Sequence, residues 1–222
     1  MTKSQLICFT GIDGSGKTTL AKKLTIFLQE KNLPAIYKWG RTRLLFTKPL
    51  VYIGNKIFLK KYCITKNYDE YTQKKKFLFS NNNFLSKIYL HALLFDYLLQ
   101  LLIKIKIPLM RRKIVVCDRY IYDTIIAGIG IDMNFSKKQF TSILDKCFLF
   151  LPKPNITFLV DIDENDAFLR KDDIPCKKYL QDRRFFYKQF AEQYNMNILD
   201  GSKIPEKVFI DCLKGLKNEF NI

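Results

Sequence analysis

The chain has 222 residues, 48% apolar and 27% charged, with 38 Lys and Arg against 21 Asp and Glu for a formal net charge of +17. That balance excludes a disordered chain, and the length suits one ordinary domain (1–222) with its own core. The positive surplus points to anionic partners, whether nucleotides, nucleic acid or an acidic membrane face, while Lys-rich composition along the whole chain is an equally good reason for part of it.

In chain order, the apolar run "QLICFT" (5–10) predicts a buried strand. The chain enters it directly after Met-Thr-Lys-Ser, which predicts no signal peptide and a cytoplasmic protein. Next comes Gly11-Ile-Asp-Gly-Ser-Gly-Lys-Thr18, a G-x-x-x-x-G-K-[ST] pattern between a strand and a helix. In such a loop Gly11, Gly14, Ser15 and Gly16 let backbone N–H groups curl around a phosphate, and the helix beginning at 16 adds its positive end, with Thr19 in its first turn. Lys17 reaches the β- and γ-phosphates, and the Thr18 hydroxyl ligates Mg²⁺. The loop alone predicts a nucleoside triphosphate site, not a reaction; GTPases, ATP-driven motors and small-molecule kinases all share it.

The helix runs over 16–31, with Leu20, Leu24, Phe27 and Leu28 on one face. A second strand follows at "AIYKW" (35–39). Residues 42–83 begin as a basic amphipathic helix and end in a Lys- and Asn-rich stretch. They are expected to form a flap or a solvated face, with a membrane-surface or nucleic-acid contact as the other reading. The apolar stretch from Phe84 carries Lys87, His91, Asp96 and Gln100, so a buried core helix stopped by Pro108 is predicted rather than a membrane span. Strands are predicted at 114–118, 155–162 and 196–200, and helices at 136–149, 164–170, 178–194 and 205–217. Unbroken apolar strands alternating with helices predict an α/β fold of the P-loop NTPase type. It has three layers, a five-stranded parallel sheet with helices on both faces, and a helical insertion after the second strand. Six cysteines without a CxxC and a single histidine argue against zinc and against a disulfide scaffold.

Three further stretches carry a resemblance: "IVVCDRYIYDTIIAG" (114–128), "KPNITFLVDIDENDAFLRK" (153–171) and "MNILDGSKIPEKV" (196–208). With the P-loop, this series resembles the thymidylate kinases and the wider group of nucleoside monophosphate kinases, at both ends of the chain more than over 42–90. The resemblance implies transfer of the γ-phosphoryl of MgATP to a nucleoside monophosphate, dTMP by default. It places Asp118 near Mg²⁺, Arg119 on the acceptor phosphate and Asp13 near the acceptor sugar. Phe95 would stack on the acceptor base, Arg41 or Arg43 would be a second phosphate ligand, and Tyr120 and Asp123 would lie near the acceptor. Arg170 would open a lid over ATP (170–178) and supply a catalytic cation, and Ser202 and Lys203 would lie beside the adenine. It also implies a homodimer through the apolar 88–103 helix.

Departures from the family's pattern concern the acceptor. Leu99 stands one turn after Phe95 where the family has an arginine, and Ile-Tyr-Asp-Thr-Ile-Ile-Ala-Gly follows Asp118-Arg119-Tyr120. The lid "RKDDIPCKKY" is poor in arginine and Gly14 replaces a P-loop arginine, so the transition-state cation falls to Arg170, Lys171, Arg183 or Arg184. Two other readings stay open: a kinase of another small acceptor, such as a nucleoside with Asp13 or Asp123 as base, and a non-catalytic ATP-binding module with a basic surface.

Overall fold

The computed structural model describes residues 4–41, 44–58, 64, 67–81 and 83–220. Five strands, β1 (Gln5–Thr10), β2 (Ala35–Trp39), β3 (Ile114–Asp118), β4 (Ile156–Asp161) and β5 (Asn197–Asp200), form one sheet in the order β2-β3-β1-β4-β5. Every pairing is parallel, so the predicted sheet is present with bounds that shift by two residues at most.

Alternation along the strands builds a core on each face. Ile7, Phe9, Val116 and Phe158 pack against α1 (Lys17–Glu30) and α10 (Pro205–Phe220) through Leu20, Leu24, Val208 and Cys212. Leu6, Cys8, Val115, Cys117 and Leu159 face the other way, onto the layer containing α7 (Lys137–Phe148) and α9 (Lys177–Gln193). α8 (Glu164–Leu169) follows β4, and its Asp163 caps it by accepting from Asn165 N–H. The register sets Asp118 opposite both Phe9 and Trp39. Three strands therefore end together, and the loops that leave them share one rim of the sheet.

Within the inserted segment the structure has α2 (Lys48–Phe58) and α3 (Tyr68–Asn81). Both are tied down. Buried Asp96, on α4 (Asn83–Leu101), accepts from the backbone N–H groups of Leu45 and Thr47 and from the Thr47 hydroxyl, at 2.9, 3.1 and 2.9 Å. Its other oxygen takes Gln100 at 2.8 Å. At α3, the Tyr68 hydroxyl donates to Asp182 at 2.8 Å, Lys178 pairs with Asp69 at 2.6 Å and Lys75 pairs with Asp132 at 2.6 Å. The insertion thus rests on α4, on α9 and on the loop before α7.

Two expectations about the apolar helix need correction. Pro108 does not stop it: a π-helical stretch, Leu102–Lys106, follows α4, and α5 (Ile107–Met110) carries Pro108 in its first turn. The π-helical turn just before it loosens the helix where proline supplies no N–H, so the helix runs on to Met110. The helix is also core on one side only. Leu93, Asp96, Leu101 and Ile105 are buried, while Phe84, Ile88, Phe95, Ile103 and Met110 are exposed. Ser86–Met110 is long and apolar enough to cross a membrane, with 28% of its most apolar stretch buried.

Candidate active site

The loop after β1 has the predicted form. Gly11 and Gly14 have φ of +138° and +83°, and a Cβ at either would run into the carbonyl of Val160 or of Ala167. Any larger residue would push the loop off β4 and α8. Lys17 is buried, and its ammonium donates to the Ile12 carbonyl and to Ser15 Oγ at 3.1 Å. Burial, followed by the nearby Arg119 charge, lowers its pKa from 10.5 to about 7, against the pull of Asp123, Asp13 and Asp118.

Beside this loop lies a cavity of about 410 Å³ lined by Gly14, Ser15, Gly16, Thr19, Lys203 and Arg170, among others. The structure therefore brings together a loop at 11–19, the end of α8 and the turn after β5 around one cavity. Two details differ from expectation. The Arg170 guanidinium donates to the Gly201 carbonyl at 3.0 Å, so in this conformation it serves the turn rather than the tip of the P-loop. Ser202 folds its N–H and hydroxyl onto Asp200 at 3.0 and 2.5 Å, and Gly201 and Lys203 line the cavity without it.

Thr18 and Asp118 form the next feature. The Thr18 hydroxyl donates to Asp118 Oδ2 at 2.6 Å, and the Tyr37 hydroxyl donates to the same oxygen at 2.9 Å. Asp118 Oδ1 is buried and has no hydrogen-bond partner among the described residues. An orphaned carboxylate oxygen beside a hydroxyl, facing a phosphate loop, is a hard-oxygen donor pair that fits Mg²⁺ completed by phosphate oxygens and water. Among the described residues no group of three or more His, Cys, Asp or Glu gathers to hold a metal without such help.

Arg119 follows Asp118 with a left-handed backbone, φ +68°, and its N–H donates to the Phe9 carbonyl at 2.9 Å. Its guanidinium is gripped on both sides. Nη2 pairs with Asp13 from the P-loop, and Nη1 approaches Asp123 at 3.4 Å. Burial would lower the Arg119 pKa, but Asp123 and then Asp13 raise it further above its ordinary value. Burial would lift the Asp13 carboxyl, but Arg119, Lys17, Arg41 and Lys171 together hold it below the usual carboxylate range. The Arg41 charge thus reaches Asp13, while Arg43 lies outside the described residues.

Two acceptor expectations need correction. Tyr120 is wholly buried and its hydroxyl donates to the Pro152 carbonyl at 2.9 Å, so it belongs to the core. Asp123 is buried too and accepts from Thr10 Oγ1, Tyr120 N–H and the Tyr187 hydroxyl at 2.9, 3.1 and 2.8 Å. It holds Arg119 instead of facing an acceptor. Phe95 is 65% exposed, one helical step from buried Asp96, so its ring is open to solvent rather than part of the core.

Of the remaining candidate cations, Arg184 is committed as a brace. It grips both Asp161 oxygens at 2.7 and 3.1 Å and Glu164 at 2.7 Å. Arg183 is buried, stacks on the Tyr179 ring at 3.4 Å and bonds the Tyr68 hydroxyl at 3.3 Å. Lys171, exposed just after α8, is paired with Asp173 at 2.9 Å. Sequence reasoning missed Tyr37, Tyr187 and Thr10 altogether. No local signal marks them, since each meets its carboxylate across 64 to 113 residues of chain.

No family model matches the chain. It is 30% identical to a probable thymidylate kinase of Methanocaldococcus jannaschii over 224 residues, covering 98% of each chain. It is 31% identical to a probable thymidylate kinase of Sulfurisphaera tokodaii over 91% of this chain and 90% of that one. A thymidylate kinase of Leptospira borgpetersenii is 27% identical over 99% and 96%. Likeness over nearly the full length, the sheet order and the P-loop facing an Asp-Arg pair lead to one conclusion: the chain belongs to the thymidylate kinase family and is a nucleotide kinase, an ATP-dependent phosphotransferase.

Proposed function

We propose that this protein transfers the γ-phosphoryl group of MgATP to a nucleoside monophosphate, with dTMP as acceptor. The observation that carries the reading is Arg119, held between Asp13 and Asp123 at the end of β3, beside the Thr18–Asp118 pair. A guanidinium fixed on two carboxylates next to a P-loop is a receptor for a second phosphate. An oxygen of that phosphate attacks the γ-phosphorus, the bond to the β–γ bridging oxygen breaks, and ADP leaves.

Each residue has a task in this scheme. Gly11, Gly14, Ser15 and Gly16 present N–H groups to the β-phosphate. Lys17 leaves the Ile12 carbonyl for the β- and γ-oxygens, and Thr19, Arg170 and Lys203 border the rest of the donor nucleotide. Thr18 and Asp118 would hold Mg²⁺, which when bound neutralises charge on the phosphates. Arg119 and Arg41 bind the acceptor phosphate, and Asp13 faces the acceptor sugar once Arg119 is shared with that phosphate. Lys171, the lid cation whose charge reaches Asp13, supplies positive charge to the migrating group.

A phosphate acceptor also suits the carboxylates. Phosphorylating a nucleoside hydroxyl needs a base near neutral pH. Asp123 is already bonded to four donors, and Asp13, held below the ordinary range, is a weak base. The choice of dTMP rests on the names of the relatives. The same reading makes the chain one catalytic unit in the cytoplasm, with the 42–83 segment a flap at the acceptor end, 170–178 a lid, and a second copy covering the Phe84–Ile88–Phe95 stripe.

The test is ADP release by purified protein with MgATP and a panel of nucleosides and nucleoside monophosphates. The expected result is release with dTMP above all others. Release with thymidine but not dTMP, or equal release with no acceptor, contradicts the reading.

A further inference from the structure

Asp123 is 3% exposed, yet it is a carboxylate at the edge of a phosphate site. Its partners come from three elements: Thr10 from the end of β1, Arg119 and Tyr120 from the turn after β3, and Tyr187 from α9. Tyr187 is itself 1% exposed, and its hydroxyl is accounted for by this one bond among the described residues. A buried hydroxyl and carboxylate are costly unless paired, and once paired they hold each other in one arrangement. That arrangement fixes the far side of Arg119. Nη1 approaches Asp123, while the Arg119 backbone is locked by its N–H on Phe9 and its left-handed φ.

We propose that Asp123, clamped by Tyr187 and Thr10, is a positioning residue that sets the direction of the Arg119 guanidinium. The proposal rests on the reading that Arg119 receives the acceptor phosphate. The two carboxylates on Arg119 then have different parts. Asp13 sits on a loop at the ligand face and shares Nη2 with the incoming phosphate. Asp123 stays on Nη1 throughout, since three other bonds hold it in place. An arginine fixed at its backbone and along one edge of its fork loses little freedom when the phosphate arrives, and its donors already point the right way. The clamp also joins the acceptor arginine to α9, the helix that follows the Lys171 segment.

The experiment is a double-mutant cycle read by kinetics and by fluorescence. Trp39 is the one tryptophan in the sequence and lies opposite Asp118 in the sheet, so its emission reports on acceptor binding. Tyr187→Phe removes one hydroxyl, and Asp123→Asn keeps the size while removing the charge. Each is expected to lower kcat/KM for dTMP about 10-fold, the effect of a misdirected contact, with KM for MgATP within about twofold. In an Arg119→Ala background the same changes should alter dTMP affinity, read from Trp39, by less than about twofold, because the residue they act through is gone. Equal losses in both backgrounds, or equal losses for both substrates, would show a general structural role and overturn the proposal. Unsubstituted protein that neither binds nor phosphorylates dTMP sinks the acceptor reading and the clamp with it. Unsubstituted protein that does both, and is matched by Tyr187→Phe, sinks the clamp alone.

Discussion

The donor and acceptor halves of this site are built in opposite ways. The donor half is backbone: a loop of N–H groups between β1 and α1, closed by the turn after β5. Its chemistry depends on glycine freedom and on fixed spacing, so eight consecutive residues specify it. The acceptor half is side chain. Arg119 is placed by Asp13, Asp123, Tyr187 and Thr10, which belong to different elements and meet only after the sheet has formed. A backbone receptor tolerates little change in sequence, whereas a side-chain receptor can be rebuilt residue by residue.

Substitutions should split along the same line, and the largest effect belongs to the donor half. Lys17→Ala is expected to lower kcat by roughly 10²–10³-fold or more, as loss of a charge that stabilises the transition state does, with an unchanged circular dichroism spectrum. Retained turnover would mean that the loop is not the donor site. Arg119→Ala should cost about 10²-fold in kcat/KM for the acceptor and leave KM for MgATP nearly unmoved. If the two substrates lose equally, the halves are not separable. Lys171→Ala should lower kcat about 10-fold, near 1.4 kcal/mol of transition-state stabilisation, with both KM values held.

Acidity offers a further test of the donor half. Lys17 has a pKa near 7 before nucleotide arrives, and bound phosphates raise it. ATP affinity is then fully present below pH 7 and lost as pH rises above it, by at most about tenfold per unit until the pKa of the complex is reached. Calorimetry at pH 8 in buffers of different ionisation enthalpy should show proton uptake on binding; release would reverse the sign and contradict this view of Lys17. At the small end, Ser202→Ala should change KM for ATP by less than about twofold, because that side chain faces Asp200 rather than the cavity.

The same contrast governs what could be read in advance. All five strands, the P-loop and the Asp118-Arg119 pair are legible, because apolar runs and short motifs report local structure. Asp123 is visible as an i,i+4 partner of Arg119, but not its burial, which Tyr187 and Thr10 impose from distant elements. The helical phase around "LLFDY" sets Phe95 outward and Asp96 inward. Asp96 in turn binds the start of α2 through bonds that span about 50 residues, which no local pattern announces. Arg183 and Arg184 look alike in sequence, yet one stacks in the core and the other braces Asp161 and Glu164.

Phosphorus NMR of the complete reaction tests the central claim most directly. With MgATP and dTMP, the γ-phosphate signal of ATP should fall as the α and β signals of dTDP rise in equal amount, and neither should change with Lys17→Ala protein. A γ-phosphate that appears instead as inorganic phosphate, with the dTMP signal intact, would contradict phosphoryl transfer to the acceptor at Arg119.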